Sequence, residues 1–476
     1  MSQYTHNVQP QPHSANKYTQ NHFGGNESAP AYSAPSPVDF DKKNILEKAP
    51  SNYQDVWAAV FYLANFVCFL ALTVYLFTFI KFRDGKLDLD EKDKLLEMTF
   101  IKLAGVSSAI AVSFAICFFM LAFLFPTQMI TGCFIASALS SVVFAGYLIS
   151  QGYAIKTSCY TIIFGVISLI WLFVVRSRIK FSGILLKYTI GIMSKYKQAL
   201  LLPLMSLLLS VFIHIVTILA LVGNYERSVA IKNSVVSYLI SLFIVFFYFW
   251  SMQVVKNISH VTISGLYAAH YFFHGSGQDN RNPTIRSLRR ACTWSFGSIC
   301  LGSLLVAIVE TIKAIADSAD SDDGGFVAAC LSCILALLRD LFDMFNRYAF
   351  AQVAIYGKPY VKAAKDTWKL IKSHGIEGII NDDLIGTTLT MGILAVYIIC
   401  CIVSYNLCSS RIDTLSRIAL SIVSGFIGSS IMGLAVSVID SGTCTIFVCL
   451  AEDPGALARN DRTLYSKITA HYPEFH

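Results

Sequence analysis

Residues 56–80 read VWAAVFYLANFVCFLALTVYLFTFI, a run without one charged side chain. A helix needs about 20 mainly apolar residues to cross the hydrocarbon layer of a bilayer. Lipid, not a soluble core, is the solvent that such a run requires, so it predicts a membrane-spanning helix. Comparable runs recur at 103–125, 128–149, 157–175, 199–222, 233–255, 291–315, 326–346, 384–407 and 417–441. The expected fold is therefore all-α, a polytopic membrane helix bundle of about ten transmembrane helices. Two further apolar pieces, 258–273 and 348–356, are too short to cross and read as re-entrant or interfacial segments.

Composition agrees. Hydrophobic residues make up 55% of the 476 positions and charged residues 14%, against roughly 25% charged in soluble proteins. The mean hydropathy is +0.58. The net charge of +7 is no sign of nucleic-acid binding, because Lys and Arg fall in short blocks between apolar runs. There they act as orientation signals. Most of the 13 cysteines, such as Cys117, Cys300, Cys400 and Cys401, sit inside apolar runs and read as small buried hydrophobes. The first fifty residues are polar, so no cleavable signal peptide is expected, and the first span serves as its own insertion signal. Residues 1–54 are rich in Gln, Asn, Ser, His and Pro and predict a disordered cytoplasmic tail. The Asn26-Glu27-Ser28 sequon lies within it, where the topology leaves it unused. Residues 55–450 then form the membrane domain, and 451–476 a cytoplasmic C-terminal tail.

Orientation follows from the connections. The one after the fourth run carries Arg176, Arg178, Lys180, Lys187, Lys195 and Lys197 with no acid. That after the sixth holds Lys256, Arg281, Arg286, Arg289 and Arg290 against Asp279. After the eighth come Lys358, Lys362, Lys365, Lys369 and Lys372. All three fall on one side, which the excess of cations marks as cytoplasmic. The opposite side receives Lys156, a short 223–232 loop and the acidic Asp317–Asp323 stretch. Both termini are then expected in the cytoplasm.

Ionisable groups at membrane depth are costly to bury, so each is a functional candidate. Glu310 lies near the outer end of the seventh run, placed to bind a cation, exchange a proton, or pair with Lys313. His214, in the fifth, titrates near neutrality and suits proton coupling. Asp340, Asp343 and Arg347 are spaced i, i+3 and i+7 on one helical face, fitting a polar pathway lining or a lock between helices. Arg339 and Asp343 are spaced for an i,i+4 pair. Tyr248 and Trp250, in the aromatic run Phe246–Trp250, are candidates with Tyr271 and Trp294 for the walls of a cage around a quaternary ammonium group. No phosphate loop, HExxH or GxSxG is present. The reading is of a non-enzyme without cofactor or metal.

Three stretches add a resemblance. The first runs Asn346-Arg347-Tyr348-Ala349-Phe350 through Val353-Ala354-Ile355-Tyr356-Gly357-Lys358-Pro359-Tyr360 to Ala363-Ala364-Lys365-Asp366. The second is Ser287-Leu288-Arg289-Arg290 with Phe296-Gly297-Ser298-Ile299-Cys300-Leu301-Gly302-Ser303-Leu304. The third is Val438-Ile439-Asp440 with Ile446-Phe447-Val448-Cys449-Leu450-Ala451-Glu452-Asp453. Their order and spacing over about residues 255–465 resemble the choline transporter-like family, and the polar tail and short 81–102 loop resemble its fungal pH nine-sensitive branch. Tyr348 stands where that family often has a second Asn, and Pro454-Gly455-Ala456 interrupts the acidic run. The resemblance implies a plasma-membrane solute carrier for choline or a related amine, with a small organic cation as substrate and lipid as its surroundings. It maps no ligand-binding residue, so the site candidates rest on their physical chemistry. A non-transporting scaffold or stress-response protein, and a lipid-handling protein, also fit the composition.

Overall fold

The computed structural model describes residues 52–80, 91–150, 155–231, 234–273, 282–318, 325–408 and 412–470. Within them the chain forms fourteen α-helices and no strand. In order these are α1 Val56–Phe77, α2 Glu91–Leu124, α3 Pro126–Ser150, α4 Ile155–Val175, α5 Ile179–Lys195, α6 Leu201–Ile231 and α7 Ser234–Phe273. Then come α8 Pro283–Cys292, α9 Phe296–Ser318, α10 Gly325–Tyr356, α11 Tyr360–Leu407, α12 Thr414–Glu452, α13 Pro454–Asn460 and α14 Arg462–Thr469. The greater part of each of the ten apolar runs falls on its own helix, the seventh starting in α8 and the fifth in a short 3-10 turn before α6. Among the described residues, eight helices are long and apolar enough to cross a membrane, and Gly165–Val175 of α4 is a shorter apolar helix. Exposed side chains such as Val67 on α1, Val143 on α3 and Phe212 on α6 form an apolar exterior. Water would penalise that surface by about 25 cal/mol per Å², so lipid tails are its natural contact. The molecule is an all-α polytopic membrane bundle.

Several boundaries differ from expectation, each for a local reason. Residues 258–273 and 348–356 are no separate short pieces but the last turns of α7 and α10. Lys256 and Arg347 read as span ends in the sequence. Both are held in ion pairs with neighbouring helices, and no Gly or Pro follows at once to stop either helix. The expected 223–232 loop is helical to Ile231, with Asn224 donating to the Ser237 carbonyl at 2.8 Å and to Ser241 Oγ at 2.9 Å. The basic connection after the fourth run contains α5, which buries Ile179, Leu185, Leu186 and Ile190 and leaves Lys180 and Lys187 exposed. The C-terminal tail is folded through Thr469, with Asp453 and Asp461 capping α13 and α14. Residues 1–51 of the expected disordered tail, with its sequon, lie outside the described residues, as do 81–90 and 319–324.

The core has two parts. One joins α1, α6, α7, α9 and α10 around Phe69, Phe247, Trp250 and Phe350. The other joins α2, α3, α5, α7, α10, α11 and α12 around Phe118, Leu186, Tyr267 and Phe447. Only α7 and α10 contribute heavily to both, so they form the seam. Gly357 makes the α10–α11 corner possible: its φ of 62° suits a residue without Cβ, and Pro359 then starts the next helix. Just beyond it, Lys358 and Lys369 reach Asp366 at 2.8 and 3.3 Å. Partial burial pushes that carboxyl upward, but the two ammonium groups outweigh it and hold Asp366 below its ordinary range.

Asp55, at the entry to α1, ties three helices together. Its carboxylate accepts from Ser298 Oγ at 2.6 Å and from the Tyr360 backbone N–H at 2.8 Å. A Cβ on Gly297 would strike the carbonyl oxygens of Asp55 and Gln54. These are backbone atoms that cannot rotate aside. Gly297→Ala is therefore expected to destabilise the bundle by about 1–3 kcal/mol, the usual cost of overpacking, read as a lower melting temperature of the purified protein.

Candidate functional site

On α7, Gln253, Lys256, Asn257 and His260 are spaced i, i+3, i+4 and i+7, so they share one face. That face looks into a cavity of ≈ 550 Å³ between α6, α7, α9, α10 and α12, a volume suited to a small molecule. Tyr248 and Phe249 supply aromatic wall, and Ser437, Asp440 and Ser441 of α12 face them among the lining residues.

Two regions of the wall carry charge. In the first, Glu310 of α9 accepts a hydrogen bond from Gln253 Nε2 at 3.1 Å. Among the described residues it has no ion-pair partner. In the second, the Arg347 guanidinium forks between Asp440 at 2.7 Å and Asp382 at 3.0 Å, joining α10 to α12 and α11. Beside it, Lys256 Nζ pairs with Asp343 at 2.6 Å, joining α7 to α10. His260 lies 3.0 Å from the Arg347 carbonyl through Nε2 and 2.9 Å from Ser441 Oγ through Nδ1. A carbonyl only accepts, so Nε2 carries the proton and Nδ1 accepts from the serine. In and just behind the wall, the carboxylates of Glu310, Asp343, Asp382 and Asp440 outnumber the cations Lys256 and Arg347. The surplus negative charge favours a cationic guest.

The structure brings some of the sequence candidates together and separates others. Tyr248, Glu310 and Arg347 line the cavity, and Asp343 holds Lys256 at its edge. His214 stands one step behind, its Nε2 2.8 Å from Tyr248 OH and its Nδ1 2.7 Å from the Ser210 carbonyl. Asp340 remains exposed and pairs with Arg339 at 2.7 Å, so Arg339 does not make the i,i+4 pair that its spacing to Asp343 suggested. Lys313 reaches Asp317 at 3.6 Å and not Glu310. Three aromatics lie elsewhere. Trp250 is fully buried against Tyr62, with its indole N–H donating to the Cys300 carbonyl at 3.0 Å. Tyr271 donates to the Asp453 carbonyl at 2.9 Å near the end of α7. Trp294 sits at the α8–α9 joint, where its carbonyl accepts from Gln54 N at 2.9 Å. The aromatic run on α7 is thus split by its helical period, with Phe247 and Trp250 to the core and Tyr248 and Phe249 to the cavity. Sequence reasoning missed Gln253, Lys256, Asn257, His260 and Asp382 as site residues and had Asp440 only as part of a motif. The signal that would have found four of them is the polar i, i+3, i+4, i+7 stripe on α7, which was cut in two by ending the sixth run at 255.

A family profile described as plasma-membrane choline transporter matches residues 159–455, a stretch that holds every lining residue of the cavity. The chain is 32% identical to Protein PNS1 of Gibberella zeae over 94% of its own length and 88% of that protein's. It is 28% identical to Protein PNS1 of Mycosarcoma maydis, covering 98% and 90% of the two chains. A CTL-like protein of Dictyostelium discoideum is 30% identical over 62% of this chain and 53% of its own.

Proposed function

This chain belongs to the choline transporter-like family, and from that premise we propose that it carries choline or a related quaternary amine across the plasma membrane, with both termini in the cytoplasm. The single observation that carries this reading is Glu310. It is a carboxylate without a cation partner among the described residues, facing a cavity whose wall includes Tyr248 and Phe249. A quaternary ammonium has no N–H to donate, so hydrogen-bonding groups cannot select it. Aromatic faces and a carboxylate outside any ion pair can, each ring contributing about 0.5–2 kcal/mol. Exchange between the two sides of the membrane requires the helices around the site to part alternately. In the orientation that the positive-inside rule favours, Glu310 lies toward the outside and the Arg347 bridges toward the cytoplasm. The Arg347–Asp382, Arg347–Asp440 and Lys256–Asp343 pairs are then the inner gate. Choline is expected to raise the melting temperature of the purified protein, and tetramethylammonium to do so less. The absence of any shift with either amine counts against the cavity as the site.

Proton coupling fits the same geometry through His214. With Nδ1 facing a carbonyl, the neutral ring presents an acceptor Nε2 to Tyr248 OH. Protonation makes both ring nitrogens donors, and the Tyr248 hydroxyl must then accept and turn its own proton toward the cavity. His214→Phe keeps an aromatic ring and removes both ring nitrogens. It is expected to retain choline uptake but flatten its dependence on pH. A pH profile matching the unsubstituted protein assigns the coupling elsewhere.

A further inference from the structure

Two carboxamides, Gln253 and Asn257, line the amine cavity one turn apart on α7. A quaternary ammonium has no N–H to give them, so the head of the substrate leaves them without a use. Both side chains are more than nine-tenths buried, Gln253 at 7% exposure and Asn257 at 4%. Each spends its amide nitrogen on α9. Gln253 Nε2 donates to Glu310 at 3.1 Å, and Asn257 Nδ2 donates to Ser303 Oγ at 2.9 Å. An ionised carboxylate only accepts, so the Gln253 amide has one orientation, with its carbonyl oxygen turned from Glu310. That Oε1 is closed to water and receives no hydrogen bond. Among the described residues no donor reaches Asn257 Oδ1 either. An acceptor that has lost water without gaining a donor is costly to bury. The two oxygens therefore call for an O–H supplied by a ligand.

We propose, building on the transport reading above, that Gln253, with Asn257 on the next turn, binds the hydroxyl of the substrate. The cavity then selects a quaternary ammonium that carries a hydroxyl on a short chain. Glu310 and the rings of Tyr248 and Phe249 take the positive head. The Gln253 amide bonds Glu310 through one atom and offers the other to the ligand. Those two atoms share one carbon, so the head and hydroxyl sites lie within the span of a two-carbon chain. An O–H donating to Oε1 also polarises the amide and strengthens its bond to Glu310, coupling recognition of the two ends. Amines whose far end is a carboxylate or an ester bring only acceptors to these oxygens, and the site rejects them.

The test measures binding of three cations to the purified full chain by calorimetric titration. They are choline, propyltrimethylammonium, in which a methyl replaces the hydroxyl, and 2-fluoroethyltrimethylammonium, in which an atom unable to donate replaces it. Choline is expected to bind about fivefold or more tightly than either analogue. Gln253→Met keeps the length of the side chain without its polar atoms. It is expected to weaken all three cations through the lost bond to Glu310, and to bring their affinities within about twofold of one another. Glu310→Gln is expected to weaken all three and leave the preference in place. A melting curve establishes that each variant is folded, and the comparison among cations in the unsubstituted protein needs no variant. Equal affinity for the three in that protein, or a preference that survives Gln253→Met, overturns hydroxyl recognition and leaves amine transport standing. Binding of none of them overturns both.

Discussion

Glu310→Gln is expected to lower the uptake of labelled choline by tenfold or more while leaving expression and folding intact. Gln has the same shape, and its amide oxygen can still accept from Gln253, so the local packing survives. What disappears is a carboxylate of the cavity wall that makes no ion pair among the described residues. Two unit charges 4 Å apart interact by about 4 kcal/mol at an effective dielectric of 20. Even half of that is more than a factor of ten in binding. The companion changes at Tyr248 separate the two modes of recognition. Tyr248→Phe keeps the ring face and is expected to bind choline nearly normally, whereas Tyr248→Leu removes one cation–π contact and is expected to weaken it several-fold. Uptake is measured in cells lacking the native protein, with surface expression determined in parallel.

The second large effect is expected at Arg347, and it concerns stability as much as transport. Arg347 is the shared partner of Asp382 and Asp440, and the Asp382 side chain is only 11% exposed. Arg347→Leu leaves two neighbouring carboxylates without their cation. Removing one partner of a buried pair costs about 3–5 kcal/mol. The variant is therefore expected to unfold at markedly lower temperature or to fail quality control in cells. Adding Asp382→Asn and Asp440→Asn removes the stranded charges and is expected to recover most of the stability. If the bridge is a gate, the triple variant still fails to transport. Arg347→Lys is expected to be intermediate, because an ammonium on a flexible stem cannot hold two carboxylates in the geometry of a planar fork. A triple variant with normal uptake would make the bridge merely structural.

The fold was largely legible in the chain, because apolar length is a strong signal and each run became a helix. What hydropathy could not see was continuity. Lys256 and Arg347 look like ends when read one span at a time, yet both are paired with acids on other helices, and α7 and α10 run on past them. The site suffered from the same break. Gln253, Asn257 and His260 form one polar face only if α7 is read as unbroken, and Asp382 precedes the apolar part of α11, where hydropathy shows only a connection. The aromatic run shows a different limit. Consecutive rings point all round a helix, so sequence could name Tyr248 and Trp250 together but not say that one faces the cavity and the other Tyr62. Glu310 was found because a carboxylate in an apolar run is conspicuous. That its neighbour is an amide and not Lys313 depends on the approach of α7 to α9.

The central claim is that the chain itself moves a quaternary amine through the cavity beside Glu310. It is tested most directly by labelled choline flux into proteoliposomes containing only the purified protein. Saturable uptake above that of empty liposomes, competed by unlabelled choline and lost in Glu310→Gln, is the expected result. Flux equal to that of empty liposomes with folded, reconstituted protein, or undiminished flux in Glu310→Gln, would contradict it.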